Sequence, residues 1–417
     1  MKAQDASVRT CLFVVLATSA RGQAESSPKK HWYVTPPVPV FAPTADYLTV
    51  PRYPEIAVAP DGWVYVAAWA GVVGDQFLDI HVRARDPSGQ WQPPKRVSHE
   101  SRWLTGYPPK IATTRDGLVL VAWPGFKGGG VRAVMRVSDD HARSFAKLFD
   151  AGEGVSVLDL DLAVDDRDVV HLAYTALGVG GNLDIFYRHT VDARGSGGGG
   201  SRADLDASDL SPPENLTSDR QDNGAVQVSA SGGATCFAFA SQDAKKSKPS
   251  FSELMLRSAR SGSDRIQLQG SGLQVSIFED GTLACLFIRA VEAEAKQFLV
   301  PGRLDSLLME RQVPSSSTVD AMHLDGNALH VGHNGRVVVA AWCFDAGDYV
   351  ELKVSDDLGQ TFGDILDLSA WAGMYGPLQH SPSIAVEDNG TIHLAFVGVF
   401  VDEYDGDFIL YTQARYE

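Results

Sequence analysis

The sequence predicts an all-β fold, a β-propeller, and three observations carry that expectation. A phrase of two alternating apolar runs joined by a short turn recurs seven times. A third alternating run follows most copies, with a shorter fourth where space allows. An orphan strand-like run precedes the first copy, and the last copy ends without a fourth strand. Four strands per unit, repeated many times, is the pattern of propeller blades.

In order, the phrase reads PEIAVAPDGWVYVAAW (Pro54 to Trp69), PKIATTRDGLVLVAW (Pro109 to Trp123) and LDLAVDDRDVVHLAY (Leu160 to Tyr174). Weaker copies run from Val226 to Phe239 and from Leu273 to Phe287. The last two are LHVGHNGRVVVAAW (Leu329 to Trp342) and PSIAVEDNGTIHLAF (Pro382 to Phe396). Period-two alternation on both sides of Asp-Gly or Asn-Gly makes each a β-hairpin. Third strands are expected at Leu78 to Ala84, Val131 to Ser138, Leu183 to His189, Tyr349 to Ser355 and Phe408 to Ala414. The orphan run His31 to Val40 can supply the missing outer strand of the last blade. Pairing the two ends of the chain closes the ring and removes a free edge. Seven blades are expected; six is the alternative if a weak copy is misread.

Composition narrows the function classes. Of 417 residues, 36 are Lys or Arg and 52 are Asp or Glu, a formal net charge of −16. Non-specific nucleic-acid and anionic-membrane binding both need a cationic face, so both are disfavoured. Cys11, Cys236, Cys285 and Cys343 form no CxxC pair, so zinc and redox motifs are absent, and no metal or cofactor is expected. Cys236, Cys285 and Cys343 lie in apolar strand-like runs and read as buried free thiols.

The N-terminus, residues 1–24, reads as a signal peptide. Lys2 and Arg9 supply positive charge, TCLFVVLATSA (Thr10 to Ala20) is apolar but short, and Ala24 suits cleavage. A secreted or periplasmic location follows. Residues 25–417 then form one propeller domain, interrupted at 192–209 by a Gly-rich segment, Gly195 to Ser201, with little to bury.

Two turns carry a sharper pattern. Ser355 to Phe362 (SDDLGQTF) fits S-x-D-x-G-x-T-[WF], and Ser138 to Phe145 (SDDHARSF) fits with Ala142 at the Gly position. Ala84 to Trp91 keeps only the Asp and the final aromatic. Asp can accept turn N–H groups, Gly takes the awkward dihedral and the aromatic packs into the blade. The pattern resembles the Asp box (BNR repeat) of the sialidase-like propellers. In that superfamily these turns lie on the rim, away from the ligand.

The resemblance implies a glycan-related activity and a set of site residues. Three arginines hold the substrate carboxylate, an Asp is the acid, and a Tyr with a Glu makes the nucleophile pair. Arg52, in Arg52-Tyr53-Pro54, matches the first arginine. Asp75 matches the acid, with Asp79 in reserve, and Arg289, after Asp280-Gly281-Thr282-Leu283, matches the second arginine. The third arginine position falls near Gly347 and Asp348. The Glu position meets Gly270-Ser271-Gly272, and the Tyr position meets Ser381, with His380 beside it and Tyr375 the nearest Tyr. Without the Tyr–Glu pair, a retaining sialidase lacks its covalent step.

A second set of candidates needs no family. Loops before the first strand and after the second share one end of a propeller. Arg52, Tyr107, His380, Trp69, Trp123, Trp342 and Asp345 fall there, and aromatic faces with a few polar groups suit sugar rings. The competing reading for the three Trp is packing between blades, and for Arg52 and Arg289 a strand-end ion pair. His171 and His393 read as core histidines. The sequence therefore points to an exported propeller that binds extracellular glycans, acidic sugars among them, with weak or no hydrolysis. The alternatives are an active glycan enzyme, either an exo-sialidase-type glycosidase or a polysaccharide lyase, and a protein-interaction scaffold.

Overall fold

A computed structural model of the chain describes residues 30–41, 51–71, 78–98, 108–191, 205–218, 221–243, 251–258, 262–268, 271–291, 294–303, 306–307, 310–314, 327–332, 335–343, 349–368, 379–400 and 406–417. These residues hold seven antiparallel sheets of four or five strands. Their first strands are Arg52–Val58, Lys110–Thr113, Val157–Val164, Gln221–Ser231, Ser271–Ile277, Asn327–Val331 and Gln379–Val386. Each packs against the first strand of the next sheet, and that of the seventh packs against that of the first. This cyclic order sets the first strands around one axis. The fold is a β-propeller, and the sheets are its blades, one to seven in chain order.

The seventh blade joins both ends of the chain. Its third strand, Gly406–Tyr416, pairs with Trp32–Val34 and Val38–Phe41, with Trp32 opposite Tyr416 and Val38 opposite Tyr411. Val40 and Phe41 are buried with Ile409 and Tyr411 of that blade and with Val64 and Val66 of blade one. The third strands of blades four and five, Phe251–Ser258 and Glu294–Arg303, complete sheets that the repeat phrase only half revealed.

Packing follows the alternation. Trp69, Val121 and Trp123 of neighbouring blades share one cluster, and Leu120, Leu160 and Tyr174 share another. Cys236, Cys285 and Cys343 are buried, as their apolar runs predict, and Cys236 and Cys285 are free thiols. His171 and His393 are core residues too. His171 Nδ1 lies 2.7 Å from the Tyr187 hydroxyl, and His393 Nδ1 lies 2.7 Å from that of Tyr411. His393 Nε2 meets Glu387 at 2.8 Å.

The turns at 138–145 and 355–362 have matching hydrogen bonds. Asp140 accepts the N–H and hydroxyl of Ser144 at 2.8 and 2.6 Å, and Asp357 accepts those of Thr361 at 2.8 and 2.6 Å. Ser138 and Ser355 each accept an N–H four residues on. That donor is Gly359 in one turn and Ala142 in the other, with φ of +72° and +62°. Only the second carries a Cβ in the left-handed region. Each Asp carboxyl sits below its usual range because hydroxyl and backbone donors outweigh the effect of burial.

Two predictions follow from this architecture. Deleting residues through Phe41 removes the outer strand of blade seven. Val40 and Phe41 alone account for about 3 kcal/mol of apolar burial, so thermal melting should show a large drop. An unchanged melting temperature would refute this closure. Ala142→Gly relieves a left-handed penalty of roughly 1–2 kcal/mol, partly offset by unfolded-chain entropy. Chemical denaturation should show a gain of up to about 1 kcal/mol, and a loss would mean that the Ala142 methyl packs better than its dihedral costs.

Candidate functional site

First strands begin, and second strands end, at one end of the ring, here termed the mouth. There the first strands break register with their partners. Irregularities fall between Arg52 and Glu55, Val157 and Asp159, Gly224 and Gln227, Ser271 and Gln274, and His380 and Ser383. Tyr53, Ala225 and Ser381 hold φ of +51°, +55° and +49° at such breaks. Non-glycine residues enter this region only under constraint, and bulges re-aim side chains at barrel and propeller rims.

At blade one the break stacks Tyr53 on Trp69, with ring centroids 4.9 Å apart and 26° between planes. Arg52 is exposed at the head of the strand, in register with Trp69. Two residues deeper, the second position of the repeat supplies a polar side chain in six blades, Glu55, Lys110, Asp161, Gln227, Gln274 and Ser383, and Ala328 in blade six.

In blades seven, one, two and three these side chains join. Ser383 Oγ donates to Glu55 Oε2 at 3.0 Å. Lys110 Nζ donates to Glu55 Oε1 at 2.9 Å and lies 3.3 Å from Asp161 Oδ1. Asp161 Oδ2 accepts the Val228 N–H at 2.7 Å, and Asp159 Oδ2 accepts that of Val226 at 2.8 Å. Lys110, Asp159 and Asp161 are buried. Burial disfavours the Lys110 charge, but Glu55 and Asp161 outweigh it, and the ammonium is held above its ordinary range. Burial raises the Asp159 carboxyl to about 7, with Lys110 pulling it down and Asp161 pushing it up. Burial raises Asp161 as well, against the pull of Lys110. This cluster can exchange a proton near neutral pH, and it can offer both acceptors and a cation.

The sequence candidates fare unequally. Arg52 and Trp69 meet at the mouth. Trp342 occupies the same place in its second strand as Trp69, five residues beyond the residue paired at the hairpin end, and both show only a narrow edge. Trp123 stands one residue earlier, so it faces the opposite side of its blade and is completely buried. This corrects the expectation of three equivalent Trp: a ligand cannot reach Trp123 without opening the core. Arg289 already holds a carboxylate, with Nη1 and Nη2 at 3.3 and 2.6 Å from the two oxygens of Glu310, and lies over the Phe298 ring at 4.2 Å. It belongs to blade five, which does not adjoin blade one. Asp79 is buried, 2.7 Å from Arg96 Nη2, and accepts the Ser98 hydroxyl at 2.9 Å. Asp75, Tyr107, Asp345 and Tyr375 lie outside the described residues, as does the His380 side chain; the His380 backbone pairs with Val397 at the head of its strand. Ser381 is buried. The sequence reading missed Glu55, Lys110, Asp159 and Asp161. A single signal was available, charged residues at the same even position of three successive repeats.

No family model matches the chain, and no curated protein matches it by sequence. Solved structures do match in shape. The polysaccharide lyase Uly1 is 8% identical, with 87% of this chain and 89% of that one covered and a TM-score of 0.53. An α-L-arabinanase from Penicillium chrysogenum, solved with arabinobiose, is 13% identical over 91% and 98%, with a TM-score of 0.52. A protein of unknown function from Dyadobacter fermentans is 8% identical over 93% and 99%, at 0.51. The chain shares the fold of these structures, a β-propeller. At these identities the likeness is one of fold. Among the described residues no helix is long and apolar enough to cross a membrane, and no group of three or more His, Cys, Asp or Glu could hold a metal.

The mouth cluster makes a pH prediction. The folded Asp159 carboxyl titrates above its unfolded value, so the folded state holds its proton more tightly. Asp159 therefore costs stability as pH rises from about 4 to about 7. Asp159→Asn should flatten that part of the stability–pH curve, measured by denaturant unfolding at several pH values. A slope unchanged in the variant would show that Asp159 ionises normally beside Lys110.

Proposed function

We propose that this chain is an exported propeller that binds extracellular glycans at the mouth of its ring, with weak or no hydrolysis. One observation carries the reading: the stacked Tyr53–Trp69 pair stands beside exposed Arg52, above half-buried Glu55 and buried Lys110, Asp159 and Asp161. Aromatic rings suit the C–H faces of sugars, and the polar cluster suits their hydroxyls. Arg52 can anchor an acidic sugar through its planar fork. At Arg289 a ligand carboxylate would have to displace Glu310. The polysaccharide-active proteins of like fold are consistent with this reading. The apolar run Thr10 to Ala20 supports export.

A second reading, an active glycan enzyme, is favoured by Asp159, whose carboxyl burial raises to about 7. General acids work best in that range. The Tyr–Glu nucleophile pair is still missing from its expected positions.

Calorimetric titration of sialyllactose and lactose into the full chain separates these readings. Arg52→Ala should weaken sialyllactose binding by about 1.5–3 kcal/mol, the worth of a charged hydrogen bond, and leave lactose unchanged. Turnover of an activated sialoside should be undetectable; turnover lost in Asp159→Asn would establish the enzyme reading instead. If no glycan binds, a protein-interaction scaffold is what survives.

A further inference from the structure

The end of the ring opposite the mouth carries the turns between first and second strands. There blades five, six and seven surround a cavity of about 260 Å³, with walls that include Phe278, His330, Arg336, Asp356, Glu387 and Asp388. Topology separates it from the mouth, because first strands start at one end and turn back at the other. The glycan reading above does not depend on it.

The wall presents donors and acceptors side by side. Arg336 is held by one hydrogen bond from Nη2 to the Tyr416 carbonyl, 2.9 Å. Its Nε is buried and makes no hydrogen bond, although Asp356 Oδ1 is 3.4 Å away. A buried N–H without an acceptor is costly unless something supplies one. His330 is uncharged at neutral pH, since burial lowers its pKa to about 4 against the pull of Asp388; one ring nitrogen then donates and the other accepts. Glu387 is engaged by His393 and Asn389 at 2.8 and 2.5 Å. Asp388 is exposed at the rim. Phe278 and Val386 complete the wall with apolar surface.

We propose that this cavity is a second binding site and takes one neutral sugar residue. Three carboxylates against one guanidinium and the Lys30 ammonium, which pairs with Asp356, still leave a negative balance that disfavours an anion. The unsatisfied Arg336 Nε–H needs an acceptor, which an ammonium ligand lacks. A hydroxyl accepts from Arg336 and donates to Asp388 or Asp356, and the ring's C–H face fits against Phe278.

Ligand-observed NMR and calorimetry on the full chain test this with galactose, glucose and N-acetylglucosamine as neutral probes, N-acetylneuraminate as the anion and ethanolamine as the cation. At least one neutral sugar should bind saturably. Phe278→Ala and Asp388→Ala should each weaken it about tenfold, whereas Arg52→Ala at the mouth should leave it unchanged. Asp388 is exposed, so that variant keeps the fold even if Phe278→Ala does not. Amide shifts at 387–390 should accompany binding. Binding lost only in Arg52→Ala would place the sugar at the mouth and overturn the second site while supporting the first. Saturable binding of ethanolamine or N-acetylneuraminate but of no neutral sugar, or no saturable binding at all, would also overturn it.

Discussion

Each blade begins with a strand that has a neighbour on one side only, and the backbone N–H groups of its other edge face the axis. Buried N–H groups must find acceptors, and in this ring the preceding blade supplies them. Ile56 N–H donates to Ser383 Oγ at 3.2 Å, Val226 and Val228 to Asp159 and Asp161, Ile277 to Ser229 at 3.0 Å and Val331 to Ser276 at 2.9 Å. The donors stand at odd positions of the repeat and the acceptors at even ones. Edge satisfaction thus couples neighbouring blades and decides which residue types can stand at the axis.

That constraint also explains the charge at the mouth. Where the acceptor is Ser, the coupling is neutral. In blade three it is a pair of Asp carboxylates, and burying them calls for a cation. Lys110 of blade two supplies it and reaches back to Glu55 of blade one. Burial raises the Asp159 carboxyl and Asp161 adds to it, and the one ammonium, shared with Asp161 and Glu55, offsets this only in part, so the proton is held to near neutral pH. The cluster is structural in origin, and its incomplete compensation is what makes it chemically available.

The two ends of the ring differ in backbone as well as in charge. At the mouth, register breaks and left-handed Tyr53 and Ser381 aim side chains around the axis. At the other end, turns are regular and hydrogen-bonded, as in the matched stapling by Asp140 and Asp357. At the turns around the cavity of blades five to seven, Gly332 stands where blades one and two carry Ala59 and Thr114, which leaves room there.

By itself the sequence determined the repeat, the strand order, the joining of Trp32–Val34 to the last blade and the placing of the Asp turns, because alternation and turn chemistry act over a few residues. His171 and His393 were legible as core for the same reason. Side-chain direction between blades was not legible. Trp69 and Trp123 both end their phrases, yet a one-residue offset turns Trp123 into the core, since the strand period is two. Arg289 matched a motif, but its partner, Glu310, lies in a region that the motif does not cover. Lys110, Glu55, Asp159 and Asp161 lie far apart in the chain, and only closure of the ring made them neighbours. Their burial, and so the raised Asp159 carboxyl, is a property of the tertiary structure, because desolvation depends on what packs around a charge and not on the residues beside it in sequence.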